Sequence, residues 1–221
     1  MFDYPEGNDN RKYDYTGHEV LERREFPVIM EMVRQGSSVC DLGCGNGTLM
    51  VKLRDELGCK VNGMELAGSG VEVCRKKRLE VLQGSIDQTL PWGDKEFDYA
   101  VCNVTLQMVE RPEKLLEEME RIAKYSIISF PNFGYWRNRI EMLLNGKMPR
   151  KMLFGYNWYS TGHIHQLGLA DFLEYISGRP GASVEKIVPA PTESVFADSL
   201  GAVFPSLFAY IPVILIRNEE K

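Results

Sequence analysis

The segment SVCDLGCGNGTLM, Ser38 to Met50, does most to limit the folds open to this chain. A short apolar run ends in an aspartate, and three glycines follow on alternate positions. From Thr48 onwards Leu49, Met50, Leu53 and Leu57 recur at helical spacing. Strand, glycine turn and helix in that order open an α/β unit, and open parallel sheets bind ligands outside the carboxyl ends of such strands. Glycine permits a sharp turn there, and its missing Cβ lets a ligand rest against the main chain.

The rest of the sequence alternates in the same manner. His18 to Arg34 reads as helical, with Pro27 as a break or restart. CKVNGMEL, LEVLQGS, FDYAVCNV and YSIISFP read as the second to fifth strands. Helices are expected over Val71 to Lys77, from Pro112 with Leu115, Leu116, Met119 and Ile122 on one face, over GYWRNRIEMLLN up to Gly146, and over LADFLEYIS. Lys147 to Gly168 reads as a loop, and two late strands are expected around Val184 to Val188 and Phe208 to Ile216. Pro212 is awkward in the last of these, since an interior strand cannot easily lose an N–H, so that strand should start near Val213 or bulge at the proline. The pattern implies one α/β domain over residues 18–221, with a mostly parallel central sheet and helices on both faces, preceded by a polar, aromatic segment over 1–17.

Composition narrows the function classes. The 221 residues carry a net charge of −5 and no segment gathers the basic residues, so nucleic acid is not an expected partner. No apolar run approaches the roughly 20 residues needed to cross a bilayer, and the polar start has no apolar signal core, so the expectation is a cytoplasmic protein without membrane attachment. The five cysteines include no C-x-x-C pair, which fits reduced, buried thiols better than a disulfide frame or a metal site.

A dinucleotide fingerprint would read G-x-G-x-x-G, whereas Gly43, Gly45 and Gly47 read G-x-G-x-G, with Asp41 two residues ahead. This DLGCGNG motif resembles the first motif of class I S-adenosylmethionine-dependent methyltransferases. The resemblance implies that the loop meets the methionine portion of the cofactor, that Asp41 helps receive its ammonium group, and that the product is S-adenosylhomocysteine. Glu65, in NGMEL at the end of the second strand, stands where an acid should accept the ribose hydroxyls, with Leu66 beside it. After the third strand the family commonly has Gly-Asp at the adenine, but here Gly84 is followed by Ser85 and Ile86, with Asp87 two residues past Ser85. Ser85 or the backbone beside Ile86 is therefore the expected adenine contact, and Asn103 should line the site from the fourth strand.

From Asp98 onwards the resemblance becomes more specific. TLQ at Thr105 to Gln107, SFPNFGYWRNR at Ser129 to Arg139, and Trp158, Tyr159, Thr161, Ile164, His165, Asp171 and Phe172 are similar to motifs of the methionine biosynthesis protein MetW family. That resemblance implies a Rossmann-like class I methyltransferase domain linked to methionine biosynthesis, beside homoserine O-acyltransferase. The acyltransferase itself is not expected in this chain, because a G-x-S-x-G elbow is missing and Ser69 lacks the spacing.

Three functional readings follow: methyl transfer to an unidentified small-molecule acceptor, a non-catalytic partner or regulatory subunit of homoserine O-acyltransferase, or a small-molecule methyltransferase of another pathway. For catalysis His165 and His163 are the candidate bases, because imidazole titrates near working pH. Asn132, Tyr135, Trp136, Arg137, Trp158 and Tyr159 are expected to wall the acceptor entrance or a partner interface. Tyr4, Tyr13 and Tyr15 are candidates for a lid over the cofactor.

Overall fold

The computed structural model describes residues 13–149, 158, 161–192 and 195–219. Its strands are β1 (Ser38–Leu42), β2 (Lys60–Glu65), β3 (Glu80–Gln83), β4 (Phe97–Asn103), β5 (Ala123–Ser129), β6 (Ala182–Pro189) and β7 (Pro212–Asn218). The helices are α1 (Glu25–Met32), α2 (Thr48–Leu57), α3 (Gly68–Lys76), α4 (Pro112–Ile122), α5 (Trp136–Asn145), α6 (Leu169–Ser177), α7 (Val195–Val203) and α8 (Pro205–Phe208). A single 3-10 turn at Leu106–Met108 follows β4.

The strands form one sheet in the order β3-β2-β1-β4-β5-β7-β6. The first five run parallel, while β7 is antiparallel to both β5 and β6. Side chains alternate between two cores, as a period of two requires. Cys40, Ala100, Cys102 and Ile128 pack with Leu115, Met119, Phe172 and Ile176 of α4 and α6. Val39, Val101, Ile127 and Val213 pack with Ile29, Leu49 and Leu53 of α1 and α2 on the other face.

The structure corrects two sequence expectations. Only Glu25–Met32 of the anticipated 18–34 helix is helical, with Pro27 in its first turn where a missing N–H costs little. Residues 13–24 instead form an extended strap, because the glycine-loop half supplies partners for its backbone. Thr48 Oγ1 accepts from Leu21 N (3.1 Å), Asn46 Nδ2 donates to His18 O (2.8 Å), Ser69 Oγ accepts from Tyr15 N (3.0 Å), and Lys77 Nζ donates to Glu19 O. Near the other end, the expected strand from Phe208 begins only at Pro212, with α7 and α8 before it. Pro212 is the first residue of β7, opposite Pro189, and the sheet's register shift lies in β6 between Val184 and Lys186.

Asn132 binds the turn after β5 to the rest of the fold. It is fully buried, and its Nδ2 donates to the carbonyls of Ser206 (3.1 Å) and Ala209 (2.9 Å). Its Oδ1 accepts from Gly134 N (2.9 Å) and Leu169 N (3.0 Å), so one amide joins α8, the β5–α5 turn and the start of α6. Asn132→Ala leaves these buried groups unpaired and should cost about 2–4 kcal/mol. Urea denaturation of the variant checks this, and a loss below about 1 kcal/mol would remove Asn132 from its joining role.

Candidate functional site

The chain runs from β1 outwards to β2 and β3 and then returns to β4 on the other side of β1, leaving a crevice at the carboxyl ends of β1 and β4. Two cavities open there. Asp41, Gly43, Gly45, Asn103, Thr105 and His163 line the first, together with His18 and Arg23 of the strap. Glu65, Leu66, Gly84, Ser85, Ile86 and Met108 line the second. Tyr13, Tyr15, Gly43, Thr105 and Met108 border both, so the cavities are two halves of one trough divided by two tyrosines.

The glycines serve different purposes. Gly45 has φ +56°, and a Cβ on it would stand 3.0 Å from the Tyr15 hydroxyl oxygen, so its bareness admits the strap's aromatic ring over the loop. Gly47 has φ +73°, and its Cβ would stand 2.5 Å from Leu79 Cδ1 and 2.8 Å from Cys74 Sγ. Gly43 and Gly45 thus face the trough, whereas Gly47, expected to meet a ligand, packs against the far end of α3. The five cysteines are all buried and free, and no cluster of metal-ligating side chains occurs among the described residues.

Glu65 holds the loop in position. Its Oε2 accepts from Gly45 N and its Oε1 from Ala67 N, both at 2.8 Å, while the side chain is 6% exposed. Burial raises its pKa and the backbone N–H groups oppose the rise. Each oxygen retains a lone pair for a further donor.

Asp41 is the other buried acid of the trough. It is 3% exposed, lines the first cavity, and has no hydrogen-bond partner among the described residues. Burial, reinforced by the charge of Glu65, raises its pKa from 3.8 to about 7. A carboxylate withdrawn from water without a donor is costly, and a cation entering the cavity would relieve that cost.

The β4 end supplies the opposite wall. Asn103 Oδ1 accepts from Ser129 Oγ (2.6 Å), and Asn103 Nδ2 approaches Glu25 Oε1 at 3.5 Å. Val104 has φ +50°, a rare conformation for a β-branched residue, held by bonds from its N–H to Ser129 O (3.0 Å) and Oγ (3.1 Å). The Gln107 carbonyl accepts from Ile164 N and His165 N, both at 3.0 Å, docking the His163 segment onto the trough. His163 is 6% exposed and burial pushes its pKa down to about 4. His165, the favoured base in the sequence reading, is turned elsewhere, with Nε2 3.0 Å from Val109 O and no place in either cavity lining.

Asp87 does not reach the second cavity's lining. It accepts from Ser85 Oγ, Glu110 N (2.9 Å) and Arg111 N (3.3 Å), leaving Ser85 and Ile86 to face the space. The expected entrance wall is likewise displaced from the trough. Asn132 and Tyr135 are buried, Tyr135 packs on Tyr210 and Trp136, Arg137 stacks over Trp136 at 5.2 Å, and Trp158 is exposed. None of these residues lines either cavity, and Tyr159, like Tyr4, lies outside the described residues. The sequence reading missed His18, Arg23 and Glu25, whose signal was a helix assigned to their segment.

Comparisons with known proteins agree with this architecture. The family model described as methionine biosynthesis protein MetW matches residues 23–194. The bifunctional methionine biosynthesis protein MetXA/MetW of Rhodopirellula baltica is 36% identical over 143 residues, covering 60% of this chain and 23% of that much longer protein. Among solved structures, an S-adenosylmethionine-dependent methyltransferase from Mesorhizobium loti has a TM-score of 0.61 at 16% identity, covering 89% of this chain and 98% of the other. Geranyl diphosphate C-methyltransferase from Streptomyces coelicolor, solved with S-adenosyl-L-homocysteine, has a TM-score of 0.57 at 15% identity and covers 89% and 78% of the two chains. At these identities the structural likeness defines the fold.

Asp41 gives the site a pH signature. Its folded pKa lies above its unfolded value, so between about pH 4 and about pH 7 the folded state holds more protons and stability falls as pH rises, levelling off above the folded pKa. Asp41→Asn should therefore be more stable than the parent at about pH 8 by a few kcal/mol, with the advantage vanishing towards about pH 4. Urea denaturation across that range checks it; identical profiles for the two proteins would mean that Asp41 does not titrate in this window.

Proposed function

We propose that this chain, which belongs to the methionine biosynthesis protein MetW family, binds S-adenosylmethionine in the trough divided by Tyr13 and Tyr15 and works in methionine biosynthesis. The observation that carries the reading is Asp41, a buried carboxylate at the end of β1 that lines the first cavity without a hydrogen-bond partner among the described residues. An ammonium group is the chemical complement of such a carboxylate, and the donor set elsewhere in the trough suits the remainder of the cofactor. Glu65 offers one lone pair on each oxygen to a pair of hydroxyls. Leu66, Ile86 and Met108 give the second cavity apolar surfaces for a purine, with Ser85 as a polar group beside them. The cofactor, when bound, supplies an electrophilic methyl group.

The chain's own residues bear on what could happen to that methyl. Asn103 and His163 line the first cavity next to Asp41, on the side from which an acceptor would approach. With its pKa near 4, His163 is neutral at working pH and suits an acceptor whose nucleophilic atom needs orientation more than deprotonation.

A second reading, association with homoserine O-acyltransferase, is supported by the surface. Helix α5 exposes Leu143 (84%) and Leu144 (75%) along with Ile140 and Met142, and only Asn138 on it is buried. Exposed apolar side chains in such a group mark an interaction surface more often than a solvated one. The Rhodopirellula relative is named as a bifunctional MetXA/MetW protein, which supports the acyltransferase as the partner to test.

Two experiments address these readings. Titration calorimetry should show S-adenosylmethionine and S-adenosylhomocysteine binding to the purified chain, with Glu65→Ala weakening both by about 1–3 kcal/mol. No heat with the parent protein at millimolar ligand would remove the cofactor. Separately, the chain should co-sediment with homoserine O-acyltransferase, and the double variant Leu143→Glu, Leu144→Glu should abolish the complex while leaving cofactor affinity unchanged. Persistence of the complex in that variant would exclude α5 as the contact.

A further inference from the structure

The missing side chain at Gly45 leaves main chain bare for a ligand, and the structure puts a tyrosine of the protein there. A Cβ on Gly45 would stand 3.0 Å from the Tyr15 hydroxyl oxygen and 3.3 Å from Cε1 and Cζ, and one on Gly70 would stand 3.0 Å from Tyr15 Cδ2. The ring therefore lies directly on the glycine loop and on the first turn of α3, with no layer of space between for a second molecule. Burial, and after it the charge of Glu65, holds the Tyr15 phenol well above its usual pKa range, so the ring is neutral and close to that acid.

Tyr13 carries the obstruction across to the other wall. Its hydroxyl donates to Met108 Sδ (2.6 Å), and its ring centroid is 6.4 Å from that of Tyr15. Ser69 Oγ accepts from Tyr15 N (3.0 Å) and donates to Tyr13 O (3.4 Å). Asp41 lines the cavity on one side of this pair and Glu65 the cavity on the other. The two cavities hold about 80 and 70 Å³, against the roughly 300–1,000 Å³ of pockets that enclose a small molecule. A ligand with an ammonium at Asp41 and hydroxyls at Glu65 has to cross the line that the two rings occupy.

We infer that Tyr13 and Tyr15 form a bar in the ligand's own path, so that the strap opposes any molecule spanning both halves of the trough and must draw the rings aside to admit it. The inference rests on the cofactor reading above and gives the strap the opposite sign from a lid. A lid lies over its ligand and holds it, whereas the bar competes with it. The bonds at the rings, to Ser69 and Met108, join neutral groups. Further along, the strap has a charge-assisted anchor, where Lys77 Nζ donates to Glu19 O and to Asn46 O (2.7 Å). Residues 13–16 are thus the part that withdraws, and the apparent affinity is the intrinsic affinity multiplied by the fraction of molecules with the bar drawn aside.

Calorimetry with S-adenosylhomocysteine, which spans both halves, and adenosine, which needs the second half alone, tests the bar. Against the parent, Tyr15→Ala should bind S-adenosylhomocysteine about 10- to 100-fold more tightly, the gain expected when an open form of about 1–10% population becomes dominant. Adenosine should change by less than about 3-fold, and so should both ligands in Tyr15→Phe, which keeps the ring. Ser69→Ala, which loosens both tethers, should give an intermediate gain for S-adenosylhomocysteine. In the parent, deuterium exchange over residues 13–18 should rise when S-adenosylhomocysteine saturates the protein, because the bond from Tyr15 N to Ser69 opens.

Weaker S-adenosylhomocysteine binding by Tyr15→Ala, or slower exchange over residues 13–18 in the complex, would make the strap a lid and overturn the bar while leaving the cofactor reading intact. Unchanged affinity in Tyr15→Ala would overturn it as well, and an equal gain for adenosine would place the obstruction in the second half instead of between the halves. Binding of neither ligand by the parent would overturn the cofactor reading first and the bar with it. If thermal melts show Tyr15→Ala unfolded, exchange in the parent and the affinity of Ser69→Ala decide the matter.

Discussion

Two carboxylates removed from water at the ends of neighbouring parallel strands are the constraint on which the trough depends. Glu65 is compensated, since its oxygens accept from Gly45 N and Ala67 N. Those bonds draw the glycine loop towards the end of β2 and fix the path that brings Gly43 and Gly45 to the cavity. Asp41 is uncompensated and sits one strand away, with Asp41 in register with Gly63 of β2. A fold that sought stability alone would not retain such a group, because replacing it with an apolar residue would relieve the penalty of burial. Its presence therefore reads as a cost borne for binding.

The motifs of the second half act mainly by placing segments. Asn132, within SFPNFG, gathers α8, the β5–α5 turn and α6 around one amide. Gln107, within TLQ, uses its carbonyl to hold Ile164 N and His165 N and its Nε2 to reach Val104 O at 3.0 Å. That second bond also braces Val104 in its left-handed conformation at the turn from β4 into the site. The Oε1 of Gln107 is buried without a partner, so the residue is kept at an energetic cost of its own. These amides explain how a pattern can be long and specific when, of the motif residues, Thr105 lines the trough and Asn132 and Gln107 do not.

The sequence disclosed what depends on local pattern. The strand, glycine loop and helix at Val39 to Leu57, the acid at Glu65 and the parallel alternation were readable because periodicity and turn chemistry are properties of neighbouring residues. It concealed what depends on distant partners. Residues 18–24 carry a helical pattern, yet their backbone groups bond to Thr48, Asn46 and Lys77, so the segment becomes a strap. The apolar stretch before Pro212 looked like strand because α7, α8 and a buried strand draw on the same residue types. His163 and His165 are two residues apart, and which of them faces the cavity is decided by the Gln107 carbonyl, beyond the reach of spacing.

The strap and the buried acid of β1 meet in the same half of the trough. A strap that merely covered the trough would need only apolar contacts, such as those that Tyr15 makes over Gly45 and Gly70. This one also brings His18 and Arg23 into the half of the trough that holds Asp41. The tethers from Tyr15 N to Ser69 Oγ and from Leu21 N to Thr48 Oγ1 that lay the strap over the glycine loop therefore also set the place of those two side chains. Any ligand whose affinity depended on that placement would, by reciprocity, hold the strap in it by the same free energy.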